Sequence, residues 1–481
     1  MELSARVADF IDRHRLLRPG ERVVCGVSGG GDSLCLLDCL DRLGYDVRVA
    51  HVDHRLRPES AAEAALTAAV ARQYGRPFLR EQVDVRAEAG AGGSLEEAAR
   101  RVRYRSLARM AREQGAGIIA TGHTADDQAE TILMHLLRGA GPEGLRGMLP
   151  STDLASWVDL PDAAGLVLVR PLLELTRAET QAHCAAIGLT PAEDASNLDP
   201  SFFRNRLRHQ LLPLLETYNP AIRQILLRTG RIMAAESELV AGLVEKAWRR
   251  LARIGEDGSV RLLVAAFLNE PESIQRGLLR RLILCLRPSL RDIGWEAVER
   301  GREFVVSPPR TRTADLLAGL QLVHLGSQVV LADGGAMLAF PELPQLTGPD
   351  PQAVPVPGQV PLSAGWMLEA RQEHRPEDAW VRLRQSCHRM QIAVDADALP
   401  GRLMLRPPQP GDRLQPMGMQ GSVKISDLLV NDKVPRPARP RWPILTAGPT
   451  PVWVLGVRVA SCAPLLPDTR RAVVFQLVPP G

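Results

Sequence analysis

At 481 residues the chain is longer than one hydrophobic core usually organises, and it predicts two to four domains. Its composition, 45% hydrophobic and 24% charged, is that of an ordinary soluble protein, and no apolar run is long enough to cross a bilayer. A formal net charge of only +4 excludes an argument for a nucleic-acid partner from the total; such a partner has to be argued from local basic clusters.

The N-terminal stretch MELSARVADFIDRHRLL mixes acids and bases in an amphipathic pattern unlike a signal or transit peptide, so a cytoplasmic protein is expected. From Arg22 to about Gly122, short β-rich runs (RVVCGV, DVRVAHV, PFLREQVDV, GIIATGH) alternate with helical ones. That alternation predicts an α/β domain built on a doubly wound parallel sheet, which binds ligands at the carboxyl ends of its strands. The residues with chemistry to offer fall just there, at Ser28 to Ser33, His51 to Arg55 and Gly122 to Glu130. After about Leu215, AIRQILLRTGRIMAAESELVAGLVEKAWRRL and PESIQRGLLRRLILCLRP predict a mainly helical domain. Proline and glycine crowd residues 341–362, the best linker candidate, and RLMLRP, PVWVLGVRVA and RAVVFQLV then predict a small α+β terminal domain. The expected boundaries are 1–215, 216–345, 346–394 for the linker and the start of the terminal region, and 395–481. Seven scattered cysteines form no C-x-x-C pair and read as reduced thiols.

VVCGVSGGGDSLCLLDCL, residues 23–40, sets a glycine-rich loop between a strand and a helix. Backbone N–H groups around one point at a helix N-terminus form an anion cradle, which here comprises Ser28, Gly29, Gly30, Gly31, Asp32 and Ser33. Neither G-x-x-x-x-G-K-[ST] nor G-x-G-x-x-G is present, and a tight strand-to-helix turn needs the same glycines. Asp32 argues for the cradle. A carboxylate beside phosphates is repulsive unless a divalent cation lies between them, so Asp32 reads as a Mg2+ ligand.

SGGGDS resembles the S-G-G-x-D-S loop of the PP-loop ATP pyrophosphatases, and five further stretches resemble the tRNA(Ile)-lysidine synthetases within that superfamily. AHVDHRLRPES carries His54 and Arg55. TGHTADDQAETILMHLLRG carries His123, Asp126, Asp127 and Glu130 at the start of a helix, where acids also complement the helix dipole. RPLLELTRAE and EDASNLDPSFFRNRLRHQLLP follow, the second with the R-N-x-L-R of Arg204, Asn205, Arg206 and Arg208. Across residues 201–231, Arg204, Arg206, Arg208, Arg223, Arg228 and Arg231 stand against Glu216 alone, which reads as an RNA-backbone footprint. Near the C-terminus, RPPQPGDRLQPMGMQGSVKISDLLVNDKVPRPARPRWPIL resembles that family's terminal domain, with the usual double lysine thinned to Val423 and Lys424. Lys424 and Lys433 are two of only three lysines in the chain.

The resemblance implies adenylation of the C2 oxygen of cytidine 34 in a CAU anticodon by ATP, then displacement of AMP by the ε-amine of free L-lysine. It implies Asp32 and Asp127 as Mg2+ ligands, Asp32, Asp127 and Glu130 as catalytic acids, Asp127 and Glu130 as lysine-binding, and Arg103, His54, His123 and Asp126 as further active-site candidates. Arg204, Arg206, Arg208, Lys424, Lys433, Arg436 and Arg439 are the implied contacts to tRNA(Ile), and a homodimer is left open. A tRNA thiolase needs a cysteine pair or an iron–sulfur cluster, and Cys35 and Cys39 sit on the apolar loop helix and read as core. An amidotransferase-type synthetase needs a glutaminase nucleophile, which is absent, and a relict RNA-binding fold has no use for intact acids.

Overall fold

A computed structural model describes residues 2–53, 60–85, 95–157, 163–192, 199–255, 258–290, 293–309, 313–334, 338, 340, 342–374 and 387–480. The chain divides into two compact units, Met1–Ala241 and Gly242–Gly481, with the division inside one 30-residue helix.

In chain order the first unit comprises α1 (Leu3–His14), β1 (Arg22–Gly26), α2 (Gly31–Arg42), β2 (Asp46–Asp53), α3 (Ser60–Gln73) and β3 (Phe78–Gln82). There follow α4 (Leu95–Glu113), β4 (Ile118–Thr121), α5 (Ala125–Leu137), β5 (Ser151–Asp153), β6 (Val167–Val169) and α6 (Arg177–Ala186). Six strands align in the order β3-β2-β1-β4-β6-β5, all parallel except β5 at one edge. Val23, Val24 and Cys25 of β1 are wholly enclosed, because helices cover both faces of a parallel sheet and leave its central strand no solvated side. Strand β1 pairs with β2 on one side, Gly26 opposite Ala50, and with β4 on the other, Gly26 opposite Thr121. The strand order reverses between β1 and β4, so a crevice opens beyond Gly26 and Thr121.

Helix α2 is buried on nearly every side: Leu34, Cys35, Leu36, Leu37, Cys39 and Leu40 have no exposed surface. Asp38 is the charged exception. Its Oδ1 accepts from the Tyr74 hydroxyl at 2.8 Å, and its Oδ2 faces His183 Nε2 at 2.7 Å and Arg42 Nε at 2.8 Å. One carboxylate thus ties α2 to the end of α3 and to α6. The first unit closes with α7 (Phe203–Arg206), a π turn over Leu207–Leu211, α8 (Leu212–Tyr218) and the start of α9 (Ile222–Leu251).

The second unit carries the helices expected in the middle of the chain, the end of α9, α10 (Glu272–Leu286) and α11 (Trp295–Val306). With them lies an antiparallel sheet that the sequence reading did not anticipate, formed by β7 (Ala252–Ile254), β8 (Val260–Leu263), β9 (Thr313–Asp315), β10 (Leu320–Leu325) and β11 (Gln328–Asp333) in the order β7-β8-β11-β10-β9. The segment read as a linker is structured. It includes β12 (Gln352–Ala353) and β13 (Gly358–Pro361), and it places Leu346, Val354, Val360 and Leu362 in a core. Proline and glycine there mark edge strands and turns between short strands, not a spacer. Fully buried Gln345 pins the segment, accepting from Phe340 N–H at 2.7 Å and donating to the Leu338 carbonyl at 3.2 Å.

Beyond it, β14 (Met367–His374), β15 (Gln391–Asp395), β16 (Leu403–Arg406), β17 (Arg413–Leu414), β18 (Val423–Lys424), α12 (Ile425–Asn431), β19 (Ile444–Ala447), β20 (Thr450–Val454), β21 (Arg458–Val459) and β22 (Arg471–Val478) complete the fold. The sheets β12-β16-β19-β20-β21 and β13-β14-β22-β15 share a core around Trp453, Phe475 and Leu405. Val323, Leu325 and Val330 of β10 and β11 pack in another cluster with Ile425, Leu428 and Trp442, so the middle strands and the terminal region share apolar contacts. Among the described residues no helix is long and apolar enough to cross a membrane.

Burial alone raises the pKa of Asp38, but hydrogen bonds from Arg42, His183 and Tyr74 outweigh it and hold the carboxyl below its usual range. A depressed carboxylate contributes stability above its unfolded pKa that is lost as the pH falls through its folded one. Asp38→Asn should therefore lower stability at pH 7 by about 1–3 kcal/mol, since the amide turns a donor toward donors. The gap to wild type should close below about pH 4, as followed by urea unfolding at a series of pH values; a gap independent of pH would assign the loss to packing.

Candidate active site

The strand β1 ends beneath the glycine loop. Gly29 takes φ +93°, a left-handed conformation that only glycine adopts without strain, and its carbonyl accepts from Ala192 N–H at 3.0 Å. Ser33 Oγ closes the loop by donating to the Gly30 carbonyl at 2.8 Å and accepting from Ser28 N–H at 3.2 Å. The N–H groups of Gly31 and Asp32 lie in the first turn of α2, where no intrahelical acceptor exists, so they face the crevice. Gly122, just past β4, crosses this turn closely: a Cβ there would lie 2.8 Å from the Asp32 carbonyl oxygen. The six loop residues named from the sequence are thus one structure.

Helix α5 brings the second set of acids. Thr124 and Asp127 form a capping box, with Thr124 N–H donating to Asp127 Oδ2 at 2.9 Å. The helix-capping account of Asp127 is therefore right for one of its oxygens. The other, Oδ1, faces Arg177 Nη2 at 3.0 Å and Arg208 Nη2 at 3.5 Å. Arg177, in the first turn of α6, is the hub: its backbone N–H donates to Asp126 Oδ2 at 2.8 Å, its Nε reaches Asp32 Oδ2 at 3.4 Å, and its Nη1 lies 3.8 Å from Glu130 Oε1. Asp32 Oδ1 also accepts from the buried hydroxyl of Thr180.

Glu130 has no exposed surface. Arg208, carried on the π turn, grips it with both arms, Nε to Oε1 at 2.6 Å and Nη2 to Oε2 at 2.9 Å, while Arg204 Nε lies 3.6 Å from Oε2. Arg223 holds Asp126 Oδ1 at 3.0 Å. Four carboxylates, Asp32, Asp126, Asp127 and Glu130, therefore meet four guanidiniums, Arg177, Arg204, Arg208 and Arg223. Burial pushes the Asp32 carboxyl up, with Thr180 and Arg177 opposing the rise. At Asp127 burial also raises the pKa, but Arg177 and the Thr124 N–H help bring it below its ordinary value. Burial pushes His123, whose Nδ1 lies 2.9 Å from Thr121 Oγ1, down to about 3, so its ring is neutral at physiological pH.

The expected RNA footprint on residues 201–231 does not describe Arg204, Arg208 or Arg223, whose guanidiniums turn inward to acids 70 to 100 positions earlier in the chain. A count of charges along a short window misses such partners. Arg206 is exposed, lies over the Phe203 ring at 5.3 Å and donates to the Pro200 carbonyl. Arg103 is exposed on α4, and His54 and Arg55 lie outside the described residues. In the terminal region Lys424, Lys433 and Arg436 are exposed and form no ion pair among the described residues, whereas Arg439 is half-buried with Nε on the Val434 carbonyl at 2.9 Å. Arg406 is held by Asp412 in a fork at 2.8 and 2.9 Å. The sequence reading singled out neither Arg177 nor Thr180. The signal was available, since Thr176 and Glu179 form a capping box that places the start of α6, and hence Arg177, at a strand's carboxyl end.

The PP-loop domain family matches residues 2–215, and the TilS substrate C-terminal domain family matches residues 403–472. The tRNA(Ile)-lysidine synthase of Symbiobacterium thermophilum is 38% identical over 474 residues, covering 95% of this chain and 94% of that one. Those of Geobacter sulfurreducens and Dehalococcoides mccartyi are 35% and 33% identical, covering 98% and 99% of this chain and 96% and 100% of their own.

The close crossing at Gly122 is testable on stability alone. Because the atoms in the way are backbone, Gly122→Ala should force the first turn of α2 away from β4 and cost about 1–3 kcal/mol, the usual range for overpacking. Denaturant titration measures this, and an unchanged midpoint would mean that the two segments separate freely.

Proposed function

The chain belongs to the tRNA(Ile)-lysidine synthase family, and from that premise we propose that it ligates free L-lysine to C2 of cytidine 34 in the CAU anticodon of tRNA(Ile) at the expense of ATP. One observation supports the assignment of the reaction to this crevice: the loop acid Asp32 and the helix acids Asp126, Asp127 and Glu130 converge on a single residue, Arg177, Asp126 through its backbone N–H and the other three through its guanidinium. The first step joins the cytidine C2 oxygen to the α-phosphorus of ATP as the bond to pyrophosphate breaks. The second joins the lysine ε-nitrogen to C2 as the bond to AMP breaks. The product reads AUA in place of AUG.

The loop N–H groups of Gly31 and Asp32 suit the leaving pyrophosphate, as unsatisfied donors at a helix N-terminus do for any phosphate. Asp32 and Asp127 fit Mg2+, since both offer hard carboxylate oxygens that share one cationic partner, Arg177. When bound there, the ion supplies charge compensation for the polyphosphate. Arg177 contacts both acids and so orients them. Asp127 and Glu130 are the carboxylates offered to lysine; in this structure they hold Arg177 and Arg208, so an incoming ammonium exchanges with a guanidinium. Neutral His123 closes the floor beside Asp127 without adding charge. Lys424, Lys433 and Arg436, which flank α12, suit the phosphate backbone of tRNA.

Radiolabelled lysine should enter an unmodified tRNA(Ile) transcript only when ATP is present, and a transcript with uridine at position 34 should take up none. Asp32→Asn should reduce tRNA-dependent pyrophosphate release by roughly a hundredfold or more. Wild-type release by that variant would remove Asp32 from the chemistry, and labelling of the uridine transcript would overturn the assignment of the acceptor base.

A second expectation concerns the terminal region. Lys433→Ala combined with Arg436→Ala should weaken tRNA binding, leave ATP binding unchanged, and flatten the slope of log K against log salt by about two. Filter binding at several salt concentrations measures all three quantities; an unaltered slope would make the pair an ordinary solvated face.

A further inference from the structure

One turn below the loop, on the face of α2 that meets α6, lies a second cluster that the proposed reaction does not use. Cys35 and Cys39 stand one turn apart on α2, and His183 faces them from α6; their ligating atoms all lie within 4.8 Å of one another. Both cysteines have no exposed surface. His183 is fixed from behind, since its Nε2 meets Asp38 Oδ2 at 2.7 Å, and Asp38 is itself held by Tyr74 and Arg42. Cys184, the neighbouring thiol, is engaged elsewhere, donating to the Gly31 carbonyl at 3.3 Å.

We propose that Cys35, Cys39 and His183 form a site for a thiophilic divalent cation, Zn2+ above all, which clamps α2 to α6 one turn below the active-site loop. Two sulfurs and an imidazole suit zinc and disfavour the hard cations that oxygen donors select. The carboxylate behind the histidine is the arrangement that orients ligating imidazoles: with Nε2 held by Asp38, Nδ1 is the nitrogen left for the ion. Charge is consistent with the burial. Two thiolates and a neutral imidazole around a dication sum to zero, so no net charge enters the core. Binding breaks two S–H bonds, forms two S–Zn bonds and one N–Zn bond, and releases two protons to solvent; a fourth position on a tetrahedral ion remains for water. The way in is past His183, whose side chain keeps 10% of its surface exposed. The clamp has leverage, because one turn toward the helix N-termini from these ligands lie Asp32 on α2 and Thr180 on α6, already bonded to each other.

The test uses the full chain with Cys285→Ser, which removes the exposed thiol, after chelation and reduction. Titration with Co2+ should produce a thiolate-to-cobalt charge-transfer band that saturates at one equivalent and is abolished by Zn2+. Zn2+ added in weakly buffered solution should release two protons per ion. Cys39→Ala and His183→Gln should each weaken binding at least tenfold, with folding checked by circular dichroism. Absence of the band, or a band of undiminished intensity in Cys39→Ala, would overturn the site. If either variant fails to fold, the intensity in the otherwise unaltered chain decides, since it scales with the number of bound thiolates: two support the site, one or none overturns it.

Discussion

Four carboxylates gathered at the carboxyl ends of two parallel strands cannot stand in a half-buried crevice unless an equal positive charge stands with them. That constraint organises the first unit. An isolated buried charge costs several kcal/mol, and removal of one partner from a buried pair typically costs about 3–5 kcal/mol. The four guanidiniums that meet Asp32, Asp126, Asp127 and Glu130 come from three separate stretches of chain, α6, the α7 and π-turn segment, and α9. Charge balance at the site is thus also what docks those stretches against α5. The π turn has a role here: the extra residue in the turn that carries Arg208 changes the helix phase locally, and π turns of this kind recur at functional sites.

A second constraint is steric. The loop after β1 and the turn after β4 meet closely above the switch point: a Cβ at position 122 would lie 2.8 Å from the Asp32 carbonyl oxygen, so only a residue without a side chain fits there. The loop is braced from below by Asp38, whose contacts reach α3 and α6, so the first turn of α2 is fixed on both sides before any ligand arrives. Preorganised donors of this kind stabilise developing charge without further reorganisation.

Much of this was legible in the sequence, and the reasons differ by element. The strands and helices of the first unit announce themselves because apolar runs and amphipathic stretches alternate cleanly from Arg22 to Gly122, and the strand ends then point to Ser28–Ser33 and Gly122–Glu130. Asp127 was readable as an active-site acid and as an acid complementing the helix dipole; in the structure its Oδ2 caps the helix and its Oδ1 faces Arg177 and Arg208. The destinations of Arg204 and Arg208 were not readable, because a guanidinium's partner is set by tertiary contact and their acids lie more than 70 positions away. Arg177 carried a local signal, the Thr176–Glu179 capping box, that fixes a helix start but not what that start faces. The prolines of residues 341–362 misled for a related reason: short edge strands and linkers share a composition, and only buried Gln345 and Val360 tell them apart.

The cations of the site are all arginine, and the chemistry turns on that. A lysine ammonium shifts its pKa readily with its surroundings and can give up its proton, whereas a guanidinium stays charged throughout. Burial lowers the pKa of Arg177, yet Asp127, Asp32, Glu130 and Asp126 together raise it above its ordinary value, so its charge is secure. A permanently charged group can compensate and orient, but it can neither take nor give a proton. The reaction proposed for this crevice requires one proton to leave the attacking lysine amine before its nitrogen bonds to carbon. With the guanidiniums excluded, the receivers that remain are the carboxylates, the phosphate of the departing AMP and neutral His123, a weak base because burial lowers its pKa to about 3. Under the reaction proposed above, the acids of α5 are the groups offered first to the lysine ammonium and then to the proton it sheds, while the arginines balance the remaining charge.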